Sequence, residues 1–275
     1  MTKVVVLGDL NVDVVAVQST SLALGSDTAA RVSLLPGGGG ANVASWLAKA
    51  GVEVTLVGRV GTDALAPVAL SGLDGVDLQV VRDPEHATGT CVVLVAPGGE
   101  RTMLPDPGAN DALAVEDLPP LEGDVLHVSG YALLRPGSRS AALTAIERAR
   151  EAGMKISVDP ASSAPLGNDP VFLQRIAPID LLLPNADEAV VLGPQIDVPE
   201  VVVKFGANGA RWTNGVETVV GRAVPVDEVV DTTGAGDAFA AGFLSVWPHG
   251  MAADALAAGA RCAAKAVTRV GSRDA

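Results

Sequence analysis

The chain has 275 residues, 48% hydrophobic and 19% charged, which is enough apolar material for a full core and excludes a disordered chain. A net charge of −13 and a pI near 4.5 exclude a surface built to neutralise a nucleic-acid backbone, which needs clustered Lys and Arg. With 3% aromatic residues the core must come from Val, Leu and Ala, and 31 Gly and 18 Pro punctuate many short elements, the composition of a layered α/β protein.

Val4 to Leu7 is an apolar run of β-formers ending in Gly8-Asp9, the pattern of a buried parallel strand that delivers its C-terminal end to a site. Asp9 and Asp13 break the apolar stretch that begins at Met1 before a signal core or membrane span could form. From Val14 to Leu35 the chain reads as short strands, and Pro36 with four glycines then opens a helix from Ala41 to Ala50, stopped by Gly51. Val54 to Val57 is a second buried strand, followed by Gly58-Arg59-Val60-Gly61-Thr62-Asp63 and a helix of modest periodicity. Thr88 to Val95 and Arg101 to Leu104 flank the turn Pro97-Gly98-Gly99, a hairpin signal. Strand and helix alternation then resumes, with strands at Val125–Val128, Ile156–Val158, Leu181–Leu183 and Val201–Lys204 and helices at Ser140–Ala152 and Ala238–Trp247. Met251 to Val270 carries Asp254, Arg261, Lys265 and Arg269, so it reads as a packed helix and not as a membrane span. Cys91 and Cys262 have no metal-ligand spacing and read as buried free thiols. These features together imply a soluble, cytoplasmic protein with no membrane partner.

Short strands that are apolar on both faces and separated by helices form a parallel sheet covered on both sides, and such sheets bind ligands beyond the strands' carboxyl ends. Asp9, Ser129, Asp159, Asn185 and Gly206 all fall there. The segment Asp231-Thr232-Thr233-Gly234-Ala235-Gly236-Asp237 runs straight into a helix. Small residues before a helix leave its first N–H groups uncovered for an anion, and an Asp in that first turn is expected to stay ionised. A carboxylate beside an anion hole is what phosphoryl transfer to an alcohol needs. Gly37 to Gly40 and Asn42 form a second glycine-rich entry to a helix, where backbone can approach a small ligand closely. No Lys-Ser or Lys-Thr follows to make a Walker A loop, and Val4 to Asp9 does not continue as GxGxxG. Because an acidic chain repels phosphate at long range, any phosphorylated ligand must be held by such local devices.

Gly8-Asp9-Leu10-Asn11-Val12-Asp13, Gly37 to Asn42, Gly108-Ala109-Asn110, Pro184 to Glu188, Lys204 to Gly209 and Asp231 to Asp237 follow one another in an order that resembles the ribokinase-like, or PfkB, family of carbohydrate kinases, from Val4 to about Gly271. The resemblance implies a single domain over 1–275 with a three-layer α/β/α fold, a mainly parallel central sheet, and a small β-sheet lid built by insertions at about 14–35 and 88–104. It implies an ATP- and Mg²⁺-dependent kinase acting on a primary hydroxyl of a small sugar, often paired into homodimers through the lid. By this resemblance Asp237 matches the catalytic base and Gly234, Ala235 and Gly236 the anion hole. Asn11, Asp13, Gly38, Gly39 and Asn42 fall on the sugar side, and Asn185, Lys204, Gly206 and Gly209 on the nucleotide side. Glu188 matches a magnesium position reached through water, and Asp231 and Thr233 match a site that often holds a monovalent cation such as K⁺.

Relatives resembling ribokinase have Lys where Gly39 stands and Glu where Ser129 stands, so two polar sugar contacts are missing and ribose is not secured as substrate. Arg101 is a candidate to reach substrate from the lid, with a solvated edge-strand charge as the alternative, and Tyr131 is a candidate to stack on a sugar or base. His86, His127, His249, Trp46 and Trp212 read as surface or packing residues. A nucleoside kinase of the same fold stays open, as does a silent sugar or nucleotide binder, although Asp237 and Gly234–Gly236 speak against the binder.

Overall fold

The computed structural model describes residues 2–273; Met1, Asp274 and Ala275, which belong to the expected 1–275 domain, lie outside the described residues. In chain order the elements are β1 (Lys3–Leu7), β2 (Asn11–Gln18), β3 (Ala30–Gly37), α1 (Gly39–Lys49), β4 (Glu53–Gly61), α2 (Ala66–Ala69), β5 (Val76–Asp83), β6 (Gly89–Val95) and β7 (Arg101–Asp106). There follow β8 (Val125–Ser129), α3 (Gly130–Leu134), α4 (Arg139–Glu151), β9 (Lys155–Asp159), α5 (Ser163–Gly167), α6 (Phe172–Ile176), β10 (Leu181–Leu182) and α7 (Ala186–Leu192). The chain closes with β11 (Glu200–Lys204), β12 (Ala210–Thr213), β13 (Thr218–Gly221), α8 (Ala235–Leu244) and α9 (Ala252–Ala266).

Among the described residues, nine strands form the central sheet in the order β13-β12-β11-β10-β9-β8-β1-β4-β5. It is parallel from β5 to β11, and β12 and β13 add an antiparallel edge. The two-residue period of β1 decides the layers: Val4 and Val6 pack with α1, α8 and α9, while Val5 and Leu7 pack with α4 and α6 on the other face. The expected three-layer α/β/α architecture is present. No helix among the described residues is long and apolar enough to cross a membrane.

The two ribbons meet. β2 pairs parallel with β6 from Asn11↔Gly89 to Val17↔Val95, which joins two hairpins into one four-stranded sheet, β3-β2-β6-β7. This lid spans 11–37 and 89–106, wider than the 14–35 and 88–104 expected, because Asn11 and Gly37 already pair at its base. Asn110 fastens that base, accepting from Leu10 N–H and donating to Leu10 and Pro107 carbonyls and to Asn11 Oδ1.

Other departures from the sequence reading have local causes. β4 continues beyond the expected end at Val57 through Gly58 to Gly61, because β5 pairs with it from Val54 to Gly61 and supplies hydrogen-bond partners. β5 escaped the reading because it is a charged edge strand without a buried face over Asp77–Gln79. α8 begins at Ala235, not Ala238, so the glycine-rich segment is the helix's own first turn.

The C-terminal end of β1 approaches the start of α1 so closely that a Cβ on Gly8 would lie 2.7 Å from Gly40 Cα and 2.9 Å from Ser129 Cβ. Gly8→Ala is therefore expected to destabilise the fold by about 1–3 kcal/mol, as overpacking does, read from the midpoint of urea unfolding. An unchanged midpoint would mean that the contact between β1 and α1 widens freely.

Candidate active site

Gly234 takes φ 72°, the left-handed conformation natural to glycine, and a Cβ there would also lie 2.5 Å from Ser272 Cβ. This turn starts α8 and presents its first amides. Ala235 N–H is held weakly by Thr232 carbonyl at 3.3 Å, whereas the N–H groups of Gly234, Gly236 and Asp237 have no acceptor among the described residues. The expected segment Gly234–Gly236 thus offers open donors at Gly234 and Gly236, and Asp237 adds a third, as the orphan donors of a helix start require.

Asp237 lies in that first turn, and its Oδ2 accepts from Asn42 Nδ2 at 2.8 Å. The carboxyl is pushed up to about pH 7 by burial, with Asp159 and Asp9 adding to the rise and the Asn42 bond and Lys204 opposing it. This corrects the expectation that Asp237 stays ionised at neutral pH, because helix-start amides do not offset the loss of solvent. Asn42 is itself fixed: its Oδ1 accepts from Arg273 Nη1 at 2.8 Å and Ser272 Oγ at 2.9 Å. Arg273 further donates to the carbonyls of Gly37, Ala69 and Ser71. Sequence reasoning missed Arg273, a single cation in a polar terminal stretch with no motif to single it out.

Around Asp237 the sugar-side residues gather. A Cβ on Gly39 would stand 3.6 Å from Asp9 Oδ1, 3.6 Å from Ser129 Oγ and 3.8 Å from Asp237 Oδ1, so these three side chains border one spot that glycine leaves open. Ser129 Oγ donates to Asp9 Oδ1 at 3.1 Å. Gly38 adopts φ 97°, and a Cβ there would strike Asp9 carbonyl at 2.4 Å, so its backbone seals the floor. Asp13 is raised to about 6, chiefly by burial. Two expected sugar residues are engaged elsewhere. Asn11 donates to Asp9 Oδ2 and accepts from Asn110, which makes it a support for Asp9. Arg101 turns away from the spot to Asp231, Thr232 and Thr233. The ring of Tyr131 carries the Arg135 guanidinium 5.0 Å from its centroid.

The nucleotide-side residues line a single cavity of about 770 Å³ that ends at Asp237. One end is apolar, with Val224, Val229, Ala260, Ala263 and Val267; the other holds Asp159, Asn185, Glu188, Lys204, Gly206, Gly209 and Gly236. Lys204 is buried and paired to Asp159 Oδ2 at 2.5 Å. A Cβ on Gly236 would be 3.7 Å from Lys204 Nζ, which places that ammonium beside the open amides. Asn185 caps α7 through a reciprocal pair with Glu188, so both Glu188 oxygens already accept from Asn185. Glu188 is raised to about 6 by burial first and then by Asp159. Trp46 and Trp212 pack as expected, donating to Ser272 carbonyl and Glu200, and His127 is buried against Ser157.

A helix start with open amides, a buried carboxylate and a split apolar and charged cavity agree with what the whole sequence matches. Residues 1–275 fit the pattern of the pfkB family carbohydrate kinases, and the chain belongs to that family. It is 32% identical to a fructokinase of Vibrio alginolyticus, over 99% of this chain and 95% of that one. It is 35% identical to an ATP-dependent ribose-1-phosphate kinase of Halopiger xanaduensis, over 87% and 82%. Among solved structures it superposes on the Vibrio cholerae fructokinase bound to fructose, ADP and calcium with a TM-score of 0.83 and 28% identity, covering 99% of this chain and 94% of that one. The protein is a ribokinase-like, ATP-dependent sugar kinase.

Carbon-13 NMR titration of the Asp237 carboxyl in the substrate-free protein is expected to give a midpoint near pH 7, and Arg273→Met, which removes a nearby positive charge, is expected to move it upward. A midpoint among the surface aspartates, near 4, would contradict the enclosure described.

Proposed function

We propose that this chain transfers the γ-phosphoryl group of ATP to a primary hydroxyl of a small sugar, with Asp237 as general base. The juxtaposition of Asp237 with the open N–H groups of its own helix turn, facing the spot bordered by Asp9 and Ser129, carries this reading. Asp237 would accept the hydroxyl proton as the oxygen attacks, while the amides of Gly236 and Asp237 and the Lys204 ammonium stabilise charge on the transferring group. Asn42 holds the carboxylate in line and Arg273 holds Asn42. The apolar end of the cavity suits a base, and its charged end suits phosphates.

Mg²⁺ fits the donor chemistry. Asp159, Glu188 and Asp237 line the cavity with Lys204, and repulsion from Asp159 adds to burial in raising Glu188 and Asp237. Magnesium keeps several waters and takes few carboxylates, so Glu188, with its oxygens held by Asn185, would hold it through water. When bound it would neutralise phosphate charge. Asp9 and Asp13 are the groups best placed to receive sugar hydroxyls, and the glycine at 39 leaves room for a bulkier acceptor, which keeps a nucleoside as the second substrate class.

Turnover of Asp237→Asn is expected to fall by roughly 10² to 10⁴ while sugar and nucleotide binding change little. The kcat/KM of the native chain should rise with pH through about 7, since the base must lose its proton. A panel of ribose, fructose, 2-keto-3-deoxygluconate, adenosine and other nucleosides identifies the acceptor, and adenosine outperforming every sugar would reverse the ranking of substrates.

We also infer a homodimer through the lid. Strand register puts Leu34, Val14, Val92 and Leu104 in one row across the sheet, on the face opposite Asp13. Leu34 and Leu104 are about half exposed, at 50% and 52%, an apolar face that a second copy would cover. Light scattering at micromolar concentration is expected to give a dimer, and Leu34→Glu with Leu104→Glu a monomer; a monomeric native chain would overturn this assembly.

A further inference from the structure

The resemblance points to a monovalent cation at Asp231 and Thr233, but the donors there are taken. Arg101 Nη2 lies 2.6 Å from Asp231 Oδ1, and Arg101 Nη1 donates to Thr233 Oγ1 at 2.7 Å and Thr232 Oγ1 at 3.2 Å. Asp231 Oδ1 also accepts from Thr233 N–H at 2.7 Å, and Oδ2 from Gly271 N–H at 3.0 Å. The carboxylate and hydroxyl that would ligate a small cation are therefore satisfied by protein donors, one of which already carries a full positive charge. A direct-binding cation does not fit these side chains while Arg101 is in place.

We propose that Arg101 is the built-in cation of this site and a positioning residue for phosphoryl transfer, locking the loop ahead of α8 only when the lid is closed. Arg101 opposes Val95 in the β6–β7 register, on the same lid face as Asp13, so its side chain bridges from the lid to a loop 130 residues away in sequence. The locked residues are the ones that matter. Asp231 and Thr233 immediately precede Gly234, whose left-handed turn aims the amides of Gly236 and Asp237. Asp231 thereby ties three parts together: the lid through Arg101, the helix start through Thr233 N–H, and the turn at Gly271 next to Ser272, which braces Asn42. Its carboxyl is held below the usual carboxylate range: burial opposes this, but the bonds from Gly271 and Thr233 and the charge of Arg101 prevail. A planar guanidinium with parallel donors suits a carboxylate next to a hydroxyl better than a spherical ammonium does. The lid position in this structure thus already completes the anion hole, and a lid swung open would leave it slack.

This inference rests on the phosphotransfer reading of the α8 start, so its test has a readout that needs no turnover. Hydrogen exchange of the substrate-free protein is measured over 101–106 and 231–237 for the native chain, Arg101→Met and Arg101→Lys, each with KCl or choline chloride at equal ionic strength. Exchange of both segments is expected to speed up in Arg101→Met and to be slowed again by K⁺ in that variant alone. In steady-state assays the native chain should be indifferent to K⁺. Arg101→Met should lose roughly 10- to 100-fold in kcat, with the KM for ATP little changed and kcat partly restored by K⁺; Arg101→Lys should fall between. Native turnover that requires K⁺, or an Arg101→Met that raises only the KM for sugar and leaves loop exchange unaltered, would overturn the proposal. Absence of ATP turnover with every acceptor, alongside the expected exchange pattern, would instead strike the phosphotransfer reading and leave the lid lock standing.

Discussion

The hydrogen bond from Asn42 Nδ2 to Asp237 Oδ2 joins the first turns of α1 and α8, and the architecture around it follows from the need to keep a carboxylate there out of water. An aspartate removed from solvent favours its neutral form unless donors and positive charge are arranged about it. One donor comes from Asn42, and Asn42 can point only one way because Arg273 and Ser272 occupy its oxygen. Arg273 is itself lowered to about 10, chiefly by burial, against the pull of Asp13, Asp237 and Asp9. The charges are thus offset only in part, three carboxyl groups against one enclosed guanidinium, which leaves Asp13 and Asp237 raised, while Lys204 and Asp159 form a matched pair on the nucleotide side. A carboxyl poised near 7 in this setting has the affinity for a proton that a general base needs at neutral pH.

The same economy of space governs the backbone. The parallel sheet brings β1, β8 and β9 side by side, so that Asp9, Ser129 and Asp159 emerge together at their carboxyl ends. Helix α1 must then start almost in contact with β1, which Gly8 and Gly40 allow by having no side chains to collide. Across the gap, the lid is anchored by Asn110 and by the pairing of β2 with β6, and it reaches the segment ahead of the helix through the long side chain of Arg101. The outer face of that lid remains apolar while the inner face carries Asp13, so the proposed second copy and the proposed substrate would meet opposite faces of one small sheet. An excess of acid over base throughout the chain would not impede the proposed phosphate recognition, because amides and Lys204 would act at contact distance while the net charge acts at long range and is screened.

Much of this was readable from residue order. Apolar runs ending in Gly8-Asp9, Ser129 and Asp159 marked the parallel strands and the edge where ligands bind, since period and strand termini are local properties. Asp231 to Asp237 announced a helix start with open amides, and every nucleotide-side residue expected from the resemblance lines one cavity. What was not readable depends on partners distant in sequence. β5 and the continuation of β4 exist because each strand completes the other's hydrogen bonds. Arg273 had no motif, and its place is evident only when residues 37, 42, 69 and 71 surround it. Arg101 was assigned to substrate by position in the chain, whereas its acceptor Asp231 lies 130 residues away and is reached only through the tertiary arrangement.

The amino-acid order alone therefore determined the layered α/β fold, the sugar-kinase family and the chemical types gathered at the strand ends, because these follow from hydrophobic period, turn residues and short contiguous motifs. Only the tertiary structure decided the protonation of Asp237, the bracing of Asn42 by Arg273 and the capture of Asp231 by Arg101. Those depend on desolvation and on charges brought within a few ångströms from remote parts of the chain, and no local stretch of sequence encodes either.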